Sequence, residues 1–339
     1  MGTPSDYLPG PVSDDAINQL LLSIGLPKAT EIVAPKVTAQ YHSIHLIVVP
    51  KNPRTVHTRL VLRVSGKHLP TIKTENEMAV MTWIKRNTSV PVPDIVAYDS
   101  SDANKLGHEY SLLSLVSGTT LSDIYASLTE TQMLLILGQL ADYLSQLHEQ
   151  RWNAIGGLRM DKNGAIVVDR IVDETFWQAP DVDKLWPGET VDSVNLGGPY
   201  PTYIDLISAQ IKTYIHLIQA HKSLAPMQDA VPRLEAFVQA LPAHAEELNR
   251  VQLRLAHKDL HFANILYDVE SDRVTSILDW EFSGVVPFTK WNPRRSFLWN
   301  GKEGEDSVPE KSRLLDIFQG ICKKRNLTIL EDAEYASPL

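Results

Sequence analysis

The stretch Ala256–Gly284 reads A-H-K-D-L-H-F-A-N-I-L-Y-D-V-E-S-D-R-V-T-S-I-L-D-W-E-F-S-G, and three polar positions in it carry the argument: Asp259, Asn264 and Asp279. Two apolar runs, Ile265–Tyr267 and Val274–Leu278, flank the polar residues Asp268–Arg273. That pattern predicts two short strands joined by a tight connection. A loop then ends at Asn264, a hairpin follows, and Asp279 returns beside the loop that began it. An Asp, an Asn and a second Asp converge. Oxygen ligands of this kind suit Mg²⁺ on a bound polyphosphate, and a further carboxylate can accept a hydroxyl proton.

Working outward, the chain has 339 residues, 43% hydrophobic and 22% charged, with a formal charge of −9. That length accommodates two lobes, each with its own core. The negative balance argues against a nucleic-acid partner, which needs a basic face. A single cysteine, Cys322, excludes an intramolecular disulfide and fits a reducing compartment. No apolar run reaches membrane-spanning length and the first residues lack a secretory pattern, so the expected location is cytoplasmic, with no membrane partner. Oligomeric state is not legible.

Before the opening stretch, the texture changes once. Ser13–Asp15 ahead of Ala16–Ile24 predicts a short capped helix. Gln40–Val49, Thr58–Ser65, Ile95–Tyr98 and Glu109–Val116 read as strands, and Thr74–Asn87 as a helix with Glu77, Met81 and Ile84 on one face. After Gly118 helices dominate: Thr131–His148, Tyr203–His221, Leu234–Asn249 and Lys311–Lys324. Between them, Trp152–Tyr200 reads as an irregular insertion with one brief strand, Ala165–Val168. A β-rich part, residues 1–116, and a larger helical part, residues 117–339, are expected, with a nucleotide in the cleft between them.

His257-Lys258-Asp259-Leu260-His261-Phe262-Ala263-Asn264 has the H-x-D-x-x-x-x-N spacing of a kinase catalytic loop, and Asp279-Trp280-Glu281 sits where the magnesium-binding Asp should be. Together with Leu60–Arg63 and Asn87–Pro93, this resembles the aminoglycoside phosphotransferase and choline kinase-like family, closest to fungal members, over roughly residues 40 to 300. The resemblance implies an α+β, protein-kinase-like two-lobe fold with a small β-rich N-lobe and a larger, mainly helical C-lobe. It also implies an ATP-dependent phosphotransferase acting on a small-molecule hydroxyl, with ATP and Mg²⁺ as cofactors. Asp259 would be the base or orienting carboxylate, with His257 bracing the loop, and Asn264 and Asp279 would hold Mg²⁺. Arg63 would take the place of the phosphate-binding Lys, Glu77 that of its helix partner, and the backbone from Ser114 to Val116 would meet the adenine.

Alternatives stay open at this level. Thr74-Glu75-Asn76-Glu77 is also a capping-box pattern. Arg63 could be an edge-strand charge. His257, Asp259 and His261 could begin a metal-hydrolase site, although no second ligand cluster accompanies them. The turn Ala34–Ala39 lacks glycine altogether, so side chains such as Thr38, Gln40 or Ser43 would have to help cover the phosphates. That departure, with Arg at 63, keeps a nucleotide- or ligand-binding pseudokinase as the competing reading. The chain after Asp279 has no activation segment, which counts against a protein kinase. For the acceptor, Trp177 and Trp186 would line its site, and Glu246, Glu247, Glu303, Glu305 and Asp306 could attract an amine or simply form a solvated face.

Overall fold

The computed structural model describes residues 7–35, 40–287, 302 and 304–330. Thr38, Glu303, the segment around Trp291 and the acidic tail therefore lie outside the described residues. Two compact units divide the chain: Met1–Met78, Pro93–Val116 and Trp177–Val191 form one, and Ala79–Val92, Ser117–Phe176 and Asp192–Leu339 form the other.

The first unit is built on an antiparallel sheet of five strands: β1 (Glu31–Val33), β2 (His42–Val48), β3 (Arg59–Ser65), β4 (Ile95–Asp99) and β5 (Tyr110–Ser114), in the order β1-β2-β3-β5-β4. Alternation places Leu60, Leu62 and Val64 of β3 on one face, all fully buried. They pack with Ile17, Leu20 and Leu21 of the helix Asp14–Ser23. Burying one such side chain is worth about 1.5–3 kcal/mol. Ser13 caps that helix, its Oγ accepting from the Ala16 N–H. The β3 strand is central, so Arg63 is not an edge charge. The helix Ile72–Asn87 starts upstream of the expected Thr74, which places Thr74 inside the first turn rather than at the cap. Glu77, Met81 and Ile84 are all buried, as their shared face requires.

Helices make up most of the second unit. Glu130–Glu149 carries a complete capping box between Thr129 and Gln132 and buries Met133, Leu137, Leu140, Leu144 and Leu147. It packs against Ser307–Lys324, whose buried face is Glu310, Leu314, Phe318 and Cys322. Tyr203–Ala220 is the other long helix, and Val231–Ala240 is shorter than expected because Pro242 opens a 3₁₀ turn after it.

Short strands complete the unit: β6 (Thr119–Thr120), β7 (Gly157–Met160), β8 (Ile166–Asp169), β9 (Leu253–Ala256), β10 (Ile265–Asp268), β11 (Arg273–Ile277) and β12 (Gly284–Pro287). The expected hairpin is β10–β11. A second pair, β9–β12, closes outside it, with Ala256 opposite Gly284. Two loops are thereby trapped between nested antiparallel pairs, one running from His257 to Asn264 and the other from Leu278 to Ser283. The irregular insertion also contains a hairpin, β7–β8, with Gly164 at positive φ in its turn.

Candidate active site

The nested pairs bring the two loops together through backbone hydrogen bonds. Leu278 N–H donates to the Asn264 carbonyl at 2.8 Å, which sets Asp279 beside the end of the first loop. Ser283 Oγ donates to the His257 carbonyl at 3.0 Å. His257, fully buried, donates from Nε2 to the Leu278 carbonyl at 2.7 Å and accepts the Asp259 N–H on Nδ1 at 3.3 Å. Both ring nitrogens are thereby used by a neutral imidazole. Burial pulls the His257 pKa below the usual imidazole value, against the opposing pull of the Leu278 carbonyl, Asp279 and Asp259. The ring also packs on Trp280, centroid to centroid 4.4 Å.

Asn264 spends its amide donors on Asp259: Nδ2 donates to the Asp259 carbonyl at 3.0 Å and to Oδ2 at 3.3 Å. No described group bonds its Oδ1. His261 accepts the Ala263 N–H on Nδ1 at 3.2 Å and faces Asp259 Oδ2 with Nε2 at 3.4 Å. Its pKa is raised, first by the Asp259 hydrogen bond and against the cost of burial.

Lys258 and Asp279 are both in the left-handed region, with φ of 67° and 64°. Non-glycine residues adopt that conformation at a cost and keep it only where the surroundings enforce it. At Lys258 it turns the chain so that Nζ reaches the Val172 carbonyl at 2.6 Å and Asp173 Oδ2 at 3.0 Å. Burial works against ionisation of Asp173, but the Lys258 charge and the Thr175 hydrogen bonds outweigh it and hold its pKa low. Glu174 behaves oppositely: burial, then the charges of Asp259 and Asp173, push its carboxyl up.

In the β-rich unit Arg63 and Glu77 form an ion pair, with side chains 12% and 3% exposed. Arg63 Nη2 also lies 3.3 Å from His42 Nδ1, and Lys73 Nζ lies 3.0 Å from His42 Nε2. Burial and these two cations hold the His42 pKa well below its ordinary value. The Ser114 N–H donates to the Asp94 carbonyl at 2.9 Å and the Leu115 N–H to Arg59 at 3.0 Å. Neither amide is therefore free, whereas the backbone N–H of Val116, two residues past the end of β5, has no partner among the described residues.

Sequence reasoning missed Lys73, His42, Asp173 and Glu174. Nothing in the spacing of Asp173-Glu174 signals them, because they reach the loop from the irregular insertion. The Asn163-Gly164 dipeptide was the available sign of the β7–β8 hairpin that carries them there. Trp177 and Trp186 pack edge to face at 5.1 Å in the β-rich unit. Glu246 pairs with Arg250 on the surface.

Residues 53–289, more than half of the chain, match the phosphotransferase enzyme family, APH. The chain belongs to that family. Among curated relatives, a subtelomeric hrmA-associated cluster protein of Aspergillus fumigatus is 24% identical over 71% of this chain and 55% of its own length. Clavilactone A biosynthesis cluster protein Y of Ampulloclitocybe clavipes is 25% identical over 64% of this chain and 51% of its own. The chain spans about half the length of these relatives. In structure, the gentamicin complex of APH(2")-IIa covers 97% of this chain and 86% of its own at TM-score 0.51 and 13% identity. A putative aminoglycoside phosphotransferase of Ralstonia eutropha covers 92% and 81% at TM-score 0.50 and 14% identity. At that identity the likeness establishes the fold: α+β, protein-kinase-like, with a β-rich N-terminal lobe and a mainly helical C-terminal lobe.

Proposed function

We propose that this phosphotransferase-family chain is an ATP- and Mg²⁺-dependent kinase that phosphorylates a hydroxyl of a small molecule. The observation that carries the reading is the join between the two loops, in which Asn264 bonds the Asp259 carboxylate and Leu278 bonds Asn264. Asp259 would accept the acceptor's hydroxyl proton, held in orientation by the Asn264 amide. Because that amide's donors point at Asp259, its Oδ1 is left for a cation, and Asp279 offers a carboxylate beside it. This all-oxygen pair fits Mg²⁺, a hard ion that prefers one or two carboxylate or amide oxygens plus phosphates. When bound, the ion would neutralise charge developing on the transferred phosphoryl group. His257 would act as the brace of the loop, since its two nitrogens are committed to backbone. Arg63 would bind phosphate oxygens, with Glu77 fixing its fork, and Val116 would supply the backbone groups for adenine.

A neighbour of the same fold, a streptomycin–ATP ternary complex of APH(2")-IIa, supports nucleotide use. The reading includes a cytoplasmic location, motivated by Cys322, a free buried thiol whose pKa burial pushes up to about 11, and cell fractionation checks it. Among the described residues no helix is long and apolar enough to cross a membrane.

The absence of glycine from the sequence Ala34–Ala39 favours one second reading, a nucleotide-binding protein without transfer. Thermal-shift titration with ATP and Mg²⁺, followed by ADP release across an acceptor panel, separates the two. Stabilisation with acceptor-dependent ADP release supports the kinase. Stabilisation with no release from any acceptor supports the second reading.

A further inference from the structure

The segment after β8 lines a cavity, and its Glu174 feels the charge of the proposed base. A cavity of about 160 Å³ in the helical unit is walled by Asp173, Thr175, Leu196 and Lys258, and Gly156 and Gly284 contribute backbone to it. Glu174, between two of the wall residues, lies in the field of Asp259. Lys258 immediately precedes Asp259. Along the chain, then, the wall reaches the residue that precedes the proposed base. The backbone on that side is fixed by reciprocal hydrogen bonds between Gly156 and Val285, at 3.0 and 2.7 Å. A Cβ on Gly284 would come within 2.8 Å of the Gly156 carbonyl oxygen, so the close approach needs glycine there.

Charge and size decide what such a cavity takes. Lys258 and Asp173 neutralise each other at 3.0 Å, and apart from Thr175 and Gln210 the other wall residues carry apolar side chains or none. A polycation finds no net negative charge there and meets an ammonium group. A cavity of about 150 Å³ holds a benzene-sized molecule, whereas drug-sized ligands need roughly 300 Å³ or more. Thr175 is exposed, which gives the cavity a polar rim.

We propose that this cavity seats the body of the phosphoryl acceptor and selects a compact, mainly apolar alcohol, about one aromatic ring in size, over a polyamine sugar. The inference rests on the kinase reading for its chemistry. The acceptor oxygen forms a bond to the γ-phosphorus of ATP, the bond from that phosphorus to the β–γ bridging oxygen breaks, the hydroxyl proton passes to Asp259, and ADP leaves.

The test uses the full chain with benzyl alcohol as probe, saturation-transfer NMR for binding and ³¹P NMR for a new phosphomonoester. Wild type and Asp259→Asn should bind the probe alike. Leu196→Phe, which fills the cavity, should weaken binding at least tenfold and raise the KM for benzyl alcohol without changing the KM for ATP. Should Leu196→Phe fail to fold by circular dichroism, Leu196→Ala serves instead and should shift preference toward 2-naphthalenemethanol. Probe binding insensitive to both variants overturns the inference. So does turnover of kanamycin that exceeds that of benzyl alcohol, which would leave the kinase reading intact. Binding blocked by Leu196→Phe with no acceptor phosphorylated supports the cavity's selectivity and removes the kinase reading instead.

Discussion

The candidate site of the helical unit and the buried cation cluster of the β-rich unit are assembled in opposite ways. In the first, the contacts that align Asp259, Asn264 and Asp279 run between residues 257 and 283, inside two nested strand pairs. In the second, Arg63, Glu77, His42 and Lys73 come from two strands and a helix and meet only through tertiary structure. The local arrangement leaves the chemical groups partly exposed, with Asp259 37% exposed, while the distributed one buries its charges. The difference implies a division of sensitivity. Substitution in the local site should remove chemistry before stability, and substitution in the distributed cluster should remove stability first.

The largest expected effect is on chemistry. Asp259→Ala should lower the rate of phosphoryl transfer by about 10²- to 10⁴-fold, the usual contribution of a positioned base. Its melting temperature should stay close to wild type, because the partners of its carboxylate, Asn264 and His261, are only partly buried. A variant with low activity and an equally lowered melting temperature would erase the contrast between the two regions.

Glu77→Ala probes the other region. It leaves Arg63 buried without its carboxylate, a change that costs about 3–5 kcal/mol when one partner of a buried pair is removed. Urea unfolding measures the loss directly, and a change under 1 kcal/mol would show that the pair is not buried in solution.

The same cluster gives a pH dependence. His68 stacks on Tyr41 at 4.3 Å, and burial, with the Lys73 charge, lowers its pKa to about 3. A histidine that stays neutral when folded but protonates when unfolded stabilises the fold above its unfolded pKa, near 6.5. That contribution is lost progressively as pH falls from there toward about 3. His42 and His257 act in the same direction. His68→Phe should therefore flatten the stability profile across that window, and an unchanged slope in denaturation curves at successive pH values would refute the assignment.

Glu310 sharpens the comparison from within the helical unit, where it joins a long-range partner, Tyr125, to a local one, Arg313. It accepts from Tyr125 Oη and pairs with Arg313, which reaches Glu130. The Arg313 hydrogen bond is the main cause holding the Glu310 carboxyl down to about 2, despite burial. Its contribution is present above the ordinary glutamate value and lost as pH falls through about 2. Glu310→Gln should lower the melting temperature modestly at neutral pH, and that difference should disappear as the pH falls below about 2. An undiminished difference there would mean that the network does not depend on charge.

These contrasts also explain what could be read from the chain alone. The spacing from His257 to Asn264, with the apolar runs after it, specified the β10–β11 hairpin and the return of Asp279, because each contact is close in sequence. Amphipathic spacing likewise placed the helix from Glu130 to Glu149. Strands β7, β9 and β12 were missed because they are short, and because Gly157 and Gly284 make β7 and β12 look like loops; their identity depends on docking rather than propensity. His42 and Lys73 were invisible for the same reason, since nothing links them but the folded sheet. Of the candidate site, the chemical residues were legible; the wall contributed by Asp173 and Lys258, and the left-handed backbone at Lys258 that builds it, were not.

The central claim is transfer of a phosphoryl group, and tracing the label tests it most directly. ATP carrying ³²P in the γ position is incubated with the full chain, Mg²⁺ and a panel of small hydroxyl compounds, and the label is followed. The account predicts radioactive organic phosphomonoester from wild type and none above background from Asp259→Ala. Label that remains on ATP, or appears only as inorganic phosphate with every acceptor, would contradict it.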